Sequence, residues 1–305
     1  MSGGPGDEPA GGAGPADLGA LEDLVEVALR TGDESALQVL GYGEMTLVLG
    51  WPAGAPSVAA KRLPVFPDAA SADAYLASID GYIALLRDRG VDVLPTGLHA
   101  LPRPDGTAVG YVVQPVVAAA TLGPQVLAAG DPAAGHPILE GIVAATTAVL
   151  EPRLGLDAQL SNWVWEEPAR LRYLDVTTPI QWDPDGRLCL DLDALGRAYP
   201  ALLRPPLKRF VAPAVLRRFT DPRATLLDLC GNLLKEGLYS WLPAALRAVN
   251  AAVDPPIGEA EVRRAYASDA RLWEAMLRLR RVDRTWQHRV RRRPYPFLLP
   301  GEIVR

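Results

Sequence analysis

Between Leu156 and Pro179 the chain reads LDAQLSNWVWEEPARLRYLDVTTP, and this stretch restricts the architecture more tightly than any other. Asp157 stands five residues before Asn162, and Asp175 lies thirteen residues beyond that. Trp163, Val164 and Trp165 follow the asparagine, while Leu171, Tyr173 and Leu174 precede the last aspartate. Short apolar runs on either side of the polar turn Glu166–Arg170 predict two strands joined as a hairpin. A hairpin would deliver Asn162 and Asp175 to the same end of a small sheet. Asp and Asn are also ordinary turn and capping residues, so the rest of the chain has to decide what these three do.

Upstream, Leu37–Trp51 (LQVLGYGEMTLVLGW) sets two apolar runs around Gly41-Tyr42-Gly43-Glu44, the pattern of a strand, a tight turn and a second strand. Pro52–Pro56 turns the chain, and Ser57–Leu63 makes a third strand carrying Lys61. Ser71–Arg89 predicts a helix: Ser71 caps it, Tyr75, Ile79, Tyr82, Ile83 and Leu86 form the apolar stripe, and Gly90 ends it. Val91–Val117 alternates turn signals with apolar runs and ends in GYVVQPVV, which fits two more antiparallel strands. Pro137–Leu150 predicts an apolar helix leading into the Asp157 stretch.

The order of these features resembles the protein-kinase-like superfamily, nearest in character to its aminoglycoside phosphotransferase and small-molecule kinase branch. The resemblance rests on a glycine turn, a strand lysine, an acidic helix, a strand pair, then Asp-x4-Asn, a hairpin and Asp, from Leu37 to Pro179. It implies a bilobal α+β fold. A five-stranded antiparallel sheet with one helix would form the N-lobe over 17–116, and a mainly helical C-lobe would fill 117–305. Residues 1–16, rich in Gly, Pro and Ala, are expected to be a disordered tail.

The resemblance also implies roles. Gly41 and Gly43 would let the hairpin backbone approach the phosphates, and Lys61 would hold them. Asp80 on the helix, with Asp73 as competitor, would pair with Lys61. Gln114 would neighbour the adenine where the chain leaves the N-lobe. Asn162 and Asp175 would hold magnesium, and Asp157 would position and deprotonate an acceptor hydroxyl. The implied activity is an ATP- and magnesium-dependent phosphotransferase acting on a small-molecule hydroxyl. The alternative is a catalytically degenerate kinase-like protein that serves as a nucleotide-binding, regulatory or partner-binding module. Departures from the family pattern keep that alternative open. Gly155-Leu156 replaces a His-containing pair, Gln159 stands where lysine or histidine is usual, and Thr177-Thr178-Pro179 follows Asp175.

Composition sets the remaining bounds. A formal charge of −5 over 305 residues gives no overall reason to expect a nucleic-acid partner. Cys189 and Cys230 are too few for a disulfide framework. His99, His136 and His288 have no Cys or His partners at metal-ligand spacing. No apolar run approaches a membrane span and no signal pattern opens the chain, so a cytoplasmic address without membrane contact is expected. Helices are expected over Ala212–Phe219, Arg223–Leu234, Leu242–Val253 and Glu259–Arg281. The arginines of the last segment suit a solvated helix paired with Asp269, Glu274 and Asp283. Arg291, Arg292 and Arg293 are its best candidates for an anion contact.

Overall fold

A computed structural model describes residues 14–42, 47–166, 168–196, 204–206, 209, 212–286 and 289. Gly43 and Arg291–Arg293 fall outside this set, as does most of the expected tail.

Helix α1 (Pro15–Thr31) is followed by strands β1 (Gln38–Tyr42), β2 (Leu47–Trp51) and β3 (Val58–Phe66), then helix α2 (Ala69–Asp88) and strands β4 (Gly97–Pro102) and β5 (Ala108–Pro115). The five strands form one antiparallel sheet in the order β1-β2-β3-β5-β4. This is the expected sheet and helix. Two starts differ in detail. α1 begins at Pro15, inside the expected tail, with Asp17 in its first turn accepting from the Gly14 N–H at 3.0 Å. α2 begins at Ala69 because Asp68 accepts from the Ser71 N–H at 2.7 Å, so the cap lies three residues upstream of the expected one.

Beyond the sheet come α3 (Gly123–Ala129), α4 (Pro137–Val149), the hairpin strands β6 (Trp163–Glu166) and β7 (Arg170–Tyr173), and short α5 (Leu192–Gly196) and α6 (Arg204–Pro206). Helices α7 (Ala212–Arg218), α8 (Pro222–Lys235), α9 (Leu242–Asn250) and α10 (Glu259–Trp286) follow. All four lie where the sequence pattern predicts helices. On α10, Glu274 takes Arg278 at 3.4 Å, as expected of a solvated face, and Glu259 takes Arg263 at 2.7 Å.

Strand alternation sends β3 side chains to two different environments. Val58, Ala60 and Arg62 face α1, where Leu18, Leu21 and Val25 pack on the sheet with Leu49, Val109 and Tyr111. There Glu22 receives Arg62 through two hydrogen bonds of 2.7 Å and Tyr111 OH through a third of 2.7 Å. Lys61 and Leu63 face the other way. On that side Leu63, α2 and the helices around the hairpin share one continuous buried cluster. The core therefore runs unbroken from the inner face of the sheet to the stretch that holds Asp157 and Asp175.

Candidate active site

Lys61 crosses from the inner face of the sheet to the end of the hairpin. Its Nζ donates to the Leu174 carbonyl at 2.9 Å and lies 3.5 Å from Asp175 Oδ1. The two residues are 114 positions apart in the chain. The lysine side chain is only 8% exposed, while that of Asp175 is 31% exposed. Burial pushes the Asp175 carboxyl up, but the Lys61 ammonium and the Thr177 hydroxyl (2.7 Å) and amide (3.3 Å) outweigh it and hold the group below its ordinary range. Asp175 is thus ionised at neutral pH, with part of its side chain open to solvent.

The hairpin brings Asn162 and Asp175 to one end, as its spacing predicts. The Leu174 N–H donates to the Asn162 carbonyl at 3.0 Å, closing the ladder below Trp163↔Tyr173. Asn162 Nδ2 donates to the Asp157 carbonyl at 3.3 Å, and Tyr173 OH donates to the same oxygen at 3.2 Å. One backbone oxygen therefore ties Asp157 to β7 and to the residue that leads into β6. Asp157 Oδ1 accepts from the Gln159 N–H at 3.1 Å, an Asx turn that fixes the carboxylate against its own loop.

Two departures from the family pattern acquire physical reasons. A Cβ on Gly155 would stand 2.5 Å from Ile180 Cγ2 and 2.8 Å from the Phe219 carbonyl oxygen, so no side chain fits two residues before Asp157. The backbone there is fixed on both sides: Gly155 N–H donates to Ile180 at 2.8 Å and Leu156 N–H to Phe219 at 3.1 Å. Gln159 turns toward α8, donating to Asp228 Oδ2 at 3.3 Å and accepting from Asn232 Nδ2 at 3.4 Å. Buried Asn232 also accepts the Leu160 N–H at 2.8 Å, so α8 carries the loop on two adjacent residues.

The expected ion pair between Lys61 and the acidic helix is not formed. Asp80 and Asp73 both lie on the exposed side of α2, because the stripe Tyr75-Ile79-Tyr82-Ile83-Leu86 turns the opposite face inward. Lys61 pairs with Asp175 instead. α2 reaches the site through neutral groups that the sequence pattern reads only as core. Tyr75 OH donates to the Thr177 carbonyl at 2.9 Å and Tyr82 OH to the Gly155 carbonyl at 2.8 Å. Gln181 Nε2 donates to the Ser78 carbonyl at 2.9 Å, pinning the segment after Asp175 onto the same helix. Burial, reinforced by nearby carboxylates including Asp175, pushes both phenols far up, so they remain donors throughout the accessible pH range.

The remaining candidates are placed as follows. Gly41 sits in β1 beside a register shift, with open space where its Cβ would project. Gln114 pairs with Ala59 on β3, and its buried side chain donates to Thr96 Oγ1 at 3.1 Å. Among the described residues no group of three His, Cys, Asp or Glu is arranged to hold a metal unaided. Magnesium commonly takes one or two protein oxygens and completes its shell with water and phosphate. An ionised Asp175, with Asn162 at the same hairpin end, fits that habit.

A family model described as a family of unknown function (DUF6206) matches residues 20–284, and the chain belongs to that family. No curated protein matches it. Among solved structures, it is similar to a point mutant of aminoglycoside 2′-phosphotransferase IIIa determined as its GDP complex. The two share 12% identity over 76% of this chain and 96% of the other, with a TM-score of 0.34.

Proposed function

We propose that this protein is a bilobal, kinase-like phosphotransferase that uses ATP and magnesium to phosphorylate a hydroxyl of a small molecule. The observation that carries this reading is the meeting of Lys61 with Asp175 at the end of the Asn162 hairpin. In this reading residues 17–116 form the nucleotide-binding lobe and 117–305 the acceptor-side lobe. Gly41 and Gly43 let the β1–β2 backbone close over the phosphates, and the Gln114 backbone borders the base. Lys61 steadies the phosphates, and Asn162 and Asp175 hold magnesium, which supplies charge neutralisation where negative charge builds up. Asp157 orients the acceptor hydroxyl and takes its proton. Most of the rate comes from placing the two substrates in line.

A second reading, a degenerate nucleotide-binding or regulatory module, is favoured by one observation. Gln159 is turned to α8, so the Asp157 loop offers no cation of its own to the transferring group. Asp157→Ala separates the readings. A phosphotransferase is expected to lose transfer from ATP to hydroxylated acceptors by about a hundredfold or more, the usual scale of general-base loss. Its affinity for magnesium–ATP should stay within about twofold. Tight nucleotide binding with no transfer by the unaltered protein would sink the first reading and leave the second.

A further inference from the structure

From Ala194 to Thr220 the chain carries Arg197, Arg204, Lys208, Arg209, Arg217 and Arg218 and not one acidic residue, in a protein of net charge −5. The described end of this run lies against the Asp157 loop. α7 is anchored by buried Leu216, and Phe219, which follows Arg218, accepts the Leu156 N–H at 3.1 Å, one residue before Asp157. Thr225 Oγ1 donates to the Arg218 carbonyl at 3.2 Å and holds the turn into α8. The Arg217 guanidinium lies 5.7 Å over the Trp182 ring, a contact that steadies the side chain without neutralising it. Trp182 is fixed to the same region by its N–H on the Arg153 carbonyl at 2.9 Å.

Both guanidiniums are exposed, and among the described residues neither has a carboxylate within 4.0 Å. The acids nearby are committed elsewhere, Asp221 among them, which caps α8 by accepting the Ala224 N–H at 2.6 Å. Asp157 is held by its own loop and assigned to the hydroxyl, and Asp228 is tied to Gln159. Burial and the Asp269 carboxylate push Asp228 above its ordinary range, against the opposing pull of Arg218 and Lys235. Arg218 thus acts on Asp228, the acid that holds Gln159 of the Asp157 loop, and the backbone that follows it bonds Leu156, the residue before Asp157. Guanidiniums favour carboxylate and phosphate, whose paired oxygens match their fork of N–H donors.

We propose that the acceptor is an anionic hydroxyl compound, carrying a phosphate or carboxylate a few bonds from its hydroxyl, and that Arg217 and Arg218 receive that anion. This deepens the proposed function and rests on the role given to Asp157. The acceptor oxygen forms its bond to the γ-phosphorus as the bond between that phosphorus and the leaving ADP oxygen breaks. The hydroxyl proton passes to Asp157. An amino-substituted acceptor is disfavoured by the same charges.

Calorimetric titration of the full-length protein, saturated with magnesium–ADP, tests the proposal on two matched scaffolds. The probes are glycerol 3-phosphate and glycerate against glycerol and 3-amino-1,2-propanediol, and glucose 6-phosphate and gluconate against glucose and glucosamine. At least one anionic member is expected to bind about tenfold or more tightly than its neutral counterpart, and whether phosphate or carboxylate leads identifies the anion. The double variant Arg217→Gln/Arg218→Gln should lose that preference while keeping its melting temperature and its stabilisation by magnesium–ATP. Equal or better binding of neutral or amino probes overturns the proposal, as does a preference that survives in the variant. Failure of magnesium–ATP to stabilise even the unaltered protein strikes instead at the nucleotide reading beneath it.

Discussion

Asp228 and Asp175 are two carboxylates near one loop whose surroundings push them in opposite directions. Burial first, then Asp269, raises Asp228, whereas Lys61 and Thr177 overcome burial at Asp175 and lower it. A carboxyl with a raised folded-state pKa favours folding below its unfolded value and costs stability as pH rises through the folded one. Asp228→Asn should therefore melt higher than the unaltered protein at pH 7 to 8, with the gap closing as pH falls through the raised folded value and gone below the ordinary value of 3.8. Thermal melts across that range check it, and a variant less stable at neutral pH would contradict the sign. Asp175 behaves in reverse. Its contribution is whole above pH 3.8 and fades as pH falls through its depressed value. Asp175→Asn should accordingly be less stable at neutral pH, with the difference shrinking only in strong acid.

At the scale of elements, the Asp157 loop is held by close backbone contact and by buried polar groups on α2 and α8. Gly155→Ala forces a methyl group against the Phe219 carbonyl, and overpacking of this kind costs about 1–3 kcal/mol. Denaturant melts should show that loss, together with weaker transfer, since the loop must shift for the methyl to fit. An alanine variant of unchanged stability would show that the loop is looser than these distances imply. Tyr82→Phe removes one buried donor and leaves the Gly155 carbonyl unpaired, a loss of about 1–3 kcal/mol. The hairpin was legible in the sequence because short apolar runs flank a polar turn. Lys61 was legible because it sits in a strand of similar pattern. The tyrosines were not: at i, i+4 and i+7 on a helix, Tyr75, Ile79 and Tyr82 read as core, and nothing in the sequence shows where a phenolic oxygen ends. Asp80 misled for the complementary reason, since its position in the family order suggested a partner that the stripe turns outward. Gln159, Asp228 and Asn232 meet only through the packing of α8. The acid-free run before Thr220 was visible as composition, but its place beside Asp157 was not.

Across the whole molecule, the two faces of β3 carry different charged pairs. Lys61 is committed to the inner side and Arg62 to α1, so one strand couples the helix that covers the sheet to the stretch that holds Asp175. The Arg62–Glu22 pair is buried, and Tyr111 also donates to the glutamate. Breaking a buried pair by removing one partner costs about 3–5 kcal/mol, because the remaining charge is stranded. Glu22→Ala should therefore lower the denaturation midpoint more than loss of an exposed pair such as Arg263–Glu259. Equal effects would mean that α1 is not fixed to the sheet as the geometry shows. Glu22, a buried acid on the apolar face of α1, explains how that helix is registered on β3.

The central claim is that Lys61, Asn162 and Asp175 form a nucleotide and magnesium site. The direct measurement is the melting temperature of the full-length protein with and without millimolar magnesium–ATP, alongside Asp175→Ala under identical conditions. A ligand present at about a hundred times its Kd stabilises the native state by about 2.7 kcal/mol, enough to read as a shift of a few degrees. The account predicts a magnesium-dependent rise in the unaltered protein that disappears in the variant. No rise in either protein, or an equal rise in both, would contradict it.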